Sequence, residues 1–145
     1  MNTIEQHHTH APRYDDAKVE DAMHAGVLTC PPETPLWTVA RMMASYSVHA
    51  IVVTDIDAEG DPDERAWGIV SALDLVRARV AGEDEPSAGG VASTDVVTVS
   101  AGDPLASAAQ LMAEHGTEHV VVADLQGRPV GVVSTRDVAA ALARR

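Results

Sequence analysis

The chain has 145 residues, 10 Lys and Arg against 22 Asp and Glu, and a formal net charge of −12. That length is one domain or two small halves, and Cys30, the single cysteine, excludes an internal disulfide or a Cys-rich zinc framework. With Lys18 as the only lysine the surface cannot neutralise phosphates as a general nucleic-acid binder does, and no apolar run approaches the roughly 20 residues of a membrane span.

Residues 1–16 carry little apolar content and read as a disordered tail, without the apolar stretch of a signal peptide. His7, His8 and His10 within it are a His-rich tract, read as solvated because no rigid scaffold sets a metal geometry. Thr34-Pro35 offers an N-cap followed by proline at the first helical position, and Leu36, Val39, Ala40 and Met43 then give one apolar helical stripe. A strand follows at Ala50–Val53, ended by Asp55. The acidic loop Ile56–Arg65 comes next; Asp57, Glu59, Asp61, Asp63 and Glu64 look calcium-like but miss the EF-hand spacing. Gly68-Ile-Val-Ser71 reads as a strand, and Leu73, Val76 and Val80 are expected to give the next helix its buried side. Ala81–Gly90 is a linker by composition.

The same order then returns. Shifted by 69, Val27–Asp55 lands on Val96–Asp124, with Thr29/Thr98, Pro35/Pro104, Leu36/Leu105, Met43/Met112 and Asp55/Asp124 coinciding. Shifted by 63, Gly68, Val70, Ser71 and Asp74 land on Gly131, Val133, Ser134 and Asp137. The change of shift places six extra residues in the acidic loop of the first copy. Asp103-Pro104 repeats the cap, Leu105, Ala108, Ala109 and Met112 repeat the stripe, and Val120–Val122 repeats the strand, ended by Asp124. Gln126-Gly127 reads as a hairpin turn into Pro129–Val133, and Val138, Ala141 and Leu142 as the buried side of the last helix. Each copy is strand, helix, strand, strand, helix.

Chemistry concentrates at Ser71-x-x-Asp74 and Ser134-x-x-Asp137, where a strand ends and a helix begins. One reading is a capping box, in which Ser accepts an N–H and Asp reaches back. The other is a ligand site: a hydroxyl at a helix N-terminus suits a phosphate, and an acceptor-only carboxylate suits the two hydroxyls of a ribose. Cys30 aligns with Val99 and reads as a small core residue. Trp37 lies off the stripe, Trp67 reads as packing, Met42 and Met43 as core or dimer face, and Tyr46 and His115 as helix-end residues. No nucleophile elbow, P-loop or helical metal-ligand set is present, so no enzyme is expected.

Repeat and motif together resemble a tandem pair of cystathionine-β-synthase-type (CBS) domains, a Bateman module, over Ala17 to Arg145. The carrying residues are Val27-Leu-Thr, Pro35-Leu36, Met42-Met43, Ala50–Asp55 and Gly68-Ile-Val-Ser71-x-x-Asp74. Their echoes are Val96-Val-Thr, Pro104-Leu105, Leu111-Met112, Val120–Asp124 and Gly131-Val-Val-Ser134-x-x-Asp137. The resemblance implies an α+β fold of two β-α-β-β-α repeats, 17–80 and 91–145, joined by the 81–90 linker, related by a pseudo-twofold axis and packed sheet to sheet. It also implies two clefts for an adenosine-containing ligand: AMP, ADP, ATP or S-adenosylmethionine. One would use Ser134 and Asp137 with Leu28, Val48, His49, Glu118 and His119. The other would use Ser71, Asp74, Val97, Thr117, Glu118, His49 and Ala50. His49 and His119 would be the cationic candidates near a phosphate. Glu118 would repel a polyphosphate, by roughly 1 kcal/mol at 4 Å in water and more at lower dielectric, which favours AMP or S-adenosylmethionine over ATP. The function so implied is a stand-alone cytoplasmic sensor, a homodimer that relays occupancy to a regulated protein; the alternative is a ligand-free interaction scaffold of the same fold.

Overall fold

The computed structural model describes residues 11–57 and 65–144. The His7, His8, His10 tract and most of the calcium-like loop, from Glu59 to Glu64, lie outside the described residues. In chain order the elements are α1 (Val19–Ala22), β1 (His24–Ala25), β2 (Thr29–Cys30), α2 (Leu36–Tyr46), β3 (Ala50–Asp57), β4 (Arg65–Ser71), α3 (Ala72–Ala81), α4 (Ala88–Val91), β5 (Thr98–Val99), α5 (Leu105–His115), β6 (His119–Ala123), β7 (Pro129–Ser134) and α6 (Thr135–Leu142). No described helix is long and apolar enough to cross a membrane.

The chain divides into two compact units, Val27–Val96 and Met1–Gly26 with Val97–Arg145. In the first, β2 runs parallel to β3 and β3 antiparallel to β4. The β-branched run Ile51, Val52 and Val53 suits a central strand, and Ile51 and Val53 pack with Val39, Met43, Val70 and Ala78. In the second unit the sheet order is β1-β7-β6-β5, and Val120, Val122 and Val133 pack with Leu105, Ala108, Met112 and Ala141. Both long helices, α2 and α5, end on a left-handed residue, Ser47 (φ 54°) and Gly116 (φ 60°).

Each unit is completed by the segment that precedes the other copy. In one, the Val19 N–H donates to the Asp103 carbonyl at 2.8 Å, and the Leu105 N–H to the Ala17 carbonyl at 2.9 Å. Sixty-nine residues on, the Ala88 N–H donates to the Thr34 carbonyl at 2.8 Å, and the Leu36 N–H to the Pro86 carbonyl at 3.2 Å. Ala88, inside the stretch that composition marks as linker, is therefore a fully buried core residue. Of the segment before Ala17, Tyr14 packs against the core and the Pro12 carbonyl accepts from Arg144 Nη1 at 3.1 Å.

This docking corrects the expected caps. Thr34 and Asp103 do not cap α2 and α5 with their side chains; the helices begin one residue later, behind extended Pro35 and Pro104. The leading N–H groups are closed by the incoming backbone instead. Asp103 turns its carboxylate back to the Ser100 N–H at 2.9 Å. A second correction concerns β3. It does not end at Asp55 but bulges between Val53 and Ile56 and continues to Asp57, with Asp55 in the left-handed region at φ 56°.

The last helix of the first copy differs from expectation at all three residues; in the second only Leu142 does, Val138 and Ala141 being buried as expected. Leu73, Val76 and Val80 are exposed, as is Leu142, while Ala78 and Ala141 are buried and Leu75 packs against the core. Leu75 and Ala78 are the repeat equivalents of Val138 and Ala141, so both helices use one face. Small alanines let the helix lie close on the sheet, and a ranking by side-chain hydropathy chooses the larger residues on the wrong face.

Candidate functional site

The duplicated site forms where β4 and β7 each hand over to a helix at a serine. Ser71 Oγ accepts the Asp74 N–H at 3.2 Å, while Asp74 Oδ2 accepts the Ser71 N–H at 2.7 Å and the hydroxyl at 2.9 Å. In the other unit the distances are 3.2, 2.8 and 3.0 Å for Ser134 and Asp137. Both are complete capping boxes, with the carboxylate near the positive end of the helix. The capping reading therefore holds in full. Each serine hydroxyl places its one proton on the carboxylate, and the whole box uses a single carboxylate oxygen, Oδ2.

The other oxygen is where the two units differ. Asp137 Oδ1 faces His24 Nε2 at 3.0 Å, the imidazole 79% exposed and the carboxylate side chain only 13%. Asp74 Oδ1 has no hydrogen-bond partner among the described residues. Its repeat counterpart of His24 is Ser93, which bridges Ile69 as His24 pairs with Val132. His24 was not among the residues the sequence singled out; the shift of 69 that maps it to Ser93 was the signal available.

The remaining sequence-derived site residues fall into pairs matched by the repeat. The His49 carbonyl accepts the Ala72 N–H and the Glu118 carbonyl the Thr135 N–H, each at 2.9 Å, so both residues brace the first turn of the following helix. Their side chains are exposed, one cationic when protonated and the other acidic. Ala50 pairs across the sheet with Ser71, and His119 with Ser134. Thr117 Oγ1 accepts the His119 N–H at 3.4 Å and donates to its carbonyl at 3.1 Å. Half-buried Val48 follows α2 as Thr117 follows α5, their N–H groups reaching Met43 and Met112 at 3.1 Å. Leu28 and Val97, both half-buried, accept from Val52 and Val121 at 2.9 and 3.1 Å. The structure thus gathers His49, Ala50, Ser71 and Asp74 in one unit, and Glu118, His119, Ser134 and Asp137 in the other. Arg136 in the first turn of α6, exposed beside Asp137 in sequence, is a cation that the sequence reading passed over; its counterpart is Leu73.

The CBS domain model matches residues 19–81 and 88–144, one match for each copy. The chain belongs to the CBS domain family. Among solved structures, an uncharacterized conserved protein from Pyrococcus horikoshii superposes with a TM-score of 0.75 at 24% identity, covering 90% of this chain and 96% of that one. The CBS domain protein PAE2072 from Pyrobaculum aerophilum, complexed with AMP, gives 0.71 at 28% identity over 88% of this chain and 98% of that one. The CBS domain pair of protein MJ0100, in complex with 5′-methylthioadenosine and S-adenosyl-L-methionine, gives 0.73 at 18% identity over 86% and 98%. No curated protein matches the chain. The two CBS repeats here each carry the same capping box and diverge around it, at His24 against Ser93, His49 against Glu118, and Arg136 against Leu73.

Proposed function

We propose that this CBS pair is a regulatory module that binds an adenosine-containing small molecule and relays its occupancy to a partner protein. The observation that carries the reading is the geometry of the duplicated carboxylates. In each box Oδ2 is committed to the helix start; Asp74 Oδ1 is left as the acceptor for a vicinal diol such as that of a ribose, and Asp137 Oδ1 takes the same role in exchange for His24. PAE2072, 28% identical and complexed with AMP, supports the ligand class. Asp74 and Asp137 take ribose hydroxyls, and Ser71 and Ser134 hold those carboxylates in position. Leu28, Val97, Val48 and Ala50 supply apolar walls, and Thr117, His49, His119 and Arg136 supply polar and cationic contacts. Glu118 disfavours polyphosphate, so AMP or S-adenosylmethionine is preferred over ADP and ATP. The chain catalyses no reaction in this reading; it works in the cytoplasm as a homodimer, contacting neither nucleic acid nor membrane.

The exposed apolar row Leu73, Val76 and Val80 on α3 favours a second reading, a ligand-free scaffold that dimerises or docks a partner. Thermal shift and calorimetry with AMP, ADP, ATP and S-adenosylmethionine separate the two. A ligand at 100 times its Kd stabilises the fold by about 2.7 kcal/mol. Silence at millimolar ligand leaves the scaffold.

A further inference from the structure

We infer that His24 makes the two carboxylates unequal, so that the Asp74 centre accepts a ribose diol directly while the Asp137 centre must first release its histidine. This rests on the ribose reading given above. A carboxylate offers about four acceptor positions, two on each oxygen. The Ser71 N–H and hydroxyl fill those on Asp74 Oδ2, and the two on Oδ1 match the two hydroxyls of a vicinal diol. Asp137 starts from the same box, but His24 Nε2 takes one position on Oδ1 at 3.0 Å. One position then remains, enough for a single hydroxyl.

The backbone fixes this asymmetry. β1 pairs with β7 at His24↔Val132 and Ala25↔Gly131, and the Gly26 N–H donates to the Val130 carbonyl at 2.8 Å. These bonds hold His24 one strand away from the residues leading into Ser134, within reach of the carboxylate. Ser93 sits at the same register on Ile69, with N–H and carbonyl both bonded at 2.9 Å, but its short side chain makes no bond to Asp74. One side chain therefore separates the two repeats at this point, and it is freely exchangeable. His24 is 79% exposed and held in place by main-chain pairing.

The test is isothermal titration calorimetry with AMP and 2′-deoxy-AMP. In an Asp74→Asn chain, which leaves the Asp137 centre, His24→Ser tightens AMP about tenfold, the value of one charge-assisted hydrogen bond. It changes 2′-deoxy-AMP less than about twofold, because a single hydroxyl fits beside the histidine. In an Asp137→Asn chain, Ser93→His weakens AMP by a similar factor. Should either Asp variant fail to fold, the chain with both aspartates intact serves: His24→Ser there tightens the weaker of two binding steps. Unchanged or weaker AMP binding after His24→Ser, with Ser93→His also neutral, overturns the inference while the ribose reading stands. If the unaltered chain takes up none of AMP, ADP, ATP or S-adenosylmethionine, the ribose reading falls and this inference with it.

Discussion

The carbonyl oxygen of Ser93 passes 2.6 Å from where a β-carbon on Gly68 would stand. In the other unit the His24 carbonyl lies 2.8 Å from the corresponding position on Gly131, with Met23 Sδ at 3.0 Å. The two glycines recur because each admits the backbone that completes its unit. Gly68→Ala and Gly131→Ala therefore each destabilise the fold by about 1–3 kcal/mol, whereas Gly102→Ala, with nothing within 4 Å, is close to neutral. Urea midpoints at constant slope check the contrast.

The boxes carry stability apart from any ligand. Ser71→Ala and Ser134→Ala each cost about 1 kcal/mol, since a helix start loses its side-chain acceptor. Equal losses at the two sites, measured by chemical denaturation without ligand, are the expected outcome. A loss at only one site contradicts the equivalence of the boxes.

Asp124 gives the β6–β7 turn its pH dependence. The Arg128 N–H is the main reason its carboxyl is held below the usual value; the Gln126 N–H and the Arg128 guanidinium add to this, against a smaller opposing effect of burial. Oδ1 accepts both N–H groups at 2.9 Å and Oδ2 accepts from Arg128 Nε at 3.1 Å. The charged form is thus favoured by folding. Its contribution is present above the ordinary value of 3.8 and is lost as pH falls through the lower folded value. The stability difference between the unaltered chain and Asp124→Asn, followed from neutral pH downward, shrinks only in that acid window.

Cys30 shows the opposite sign. Burial is the chief cause pushing its thiol up, Glu33 adds to it, and a hydrogen bond with Thr34 opposes both. The neutral thiol is favoured by folding, so this contribution is complete below the ordinary value of 9.0 and is lost as pH rises beyond it. Cys30→Val copies Val99, its counterpart in the other repeat, and costs less than about 1.5 kcal/mol. That variant also flattens stability above the ordinary thiol value; an unchanged alkaline slope would contradict the assignment.

The exposed row on α3 separates surface from core. Val76→Lys and Val80→Lys alter stability by no more than about 0.5 kcal/mol, while Leu105→Ala, fully buried, costs about 2–5 kcal/mol. Sedimentation of the paired Val76→Lys, Val80→Lys chain tests the proposed homodimer, which this change dissociates.

Much of this architecture was legible in the residues because duplication supplies its own control. Of the expected stripe, Leu36, Val39 and Met43 are buried and Ala40 is exposed; of its echo, Leu105, Ala108 and Met112 are buried and Ala109 partly so. The hairpin at Gln126-Gly127 forms on Asp124. What sequence patterning missed was set by main chain arriving from elsewhere. The carbonyls of Ala17 and Pro86 replace the expected side-chain caps, and Ala88 is buried inside a segment that resembles a linker. Hydropathy misplaced the buried face of α3 because it ranks Leu73 and Val76 above Ala78, while close packing on the sheet selects the small residue. The capping boxes of Ser71 with Asp74 and Ser134 with Asp137 are legible in the spacing, but His24 carries no local motif. Its position comes from strand register, which places it beside a carboxylate 113 positions away.

The most direct measurement is calorimetric titration of the unaltered chain with AMP, repeated on Asp74→Asn, Asp137→Asn and the double variant. Uptake by the unaltered chain, reduced by each single change and abolished by the double one in proteins that still melt cooperatively, is the result this account predicts. Uptake undiminished in the folded double variant would contradict it, because the duplicated carboxylates would then serve the helices and nothing else.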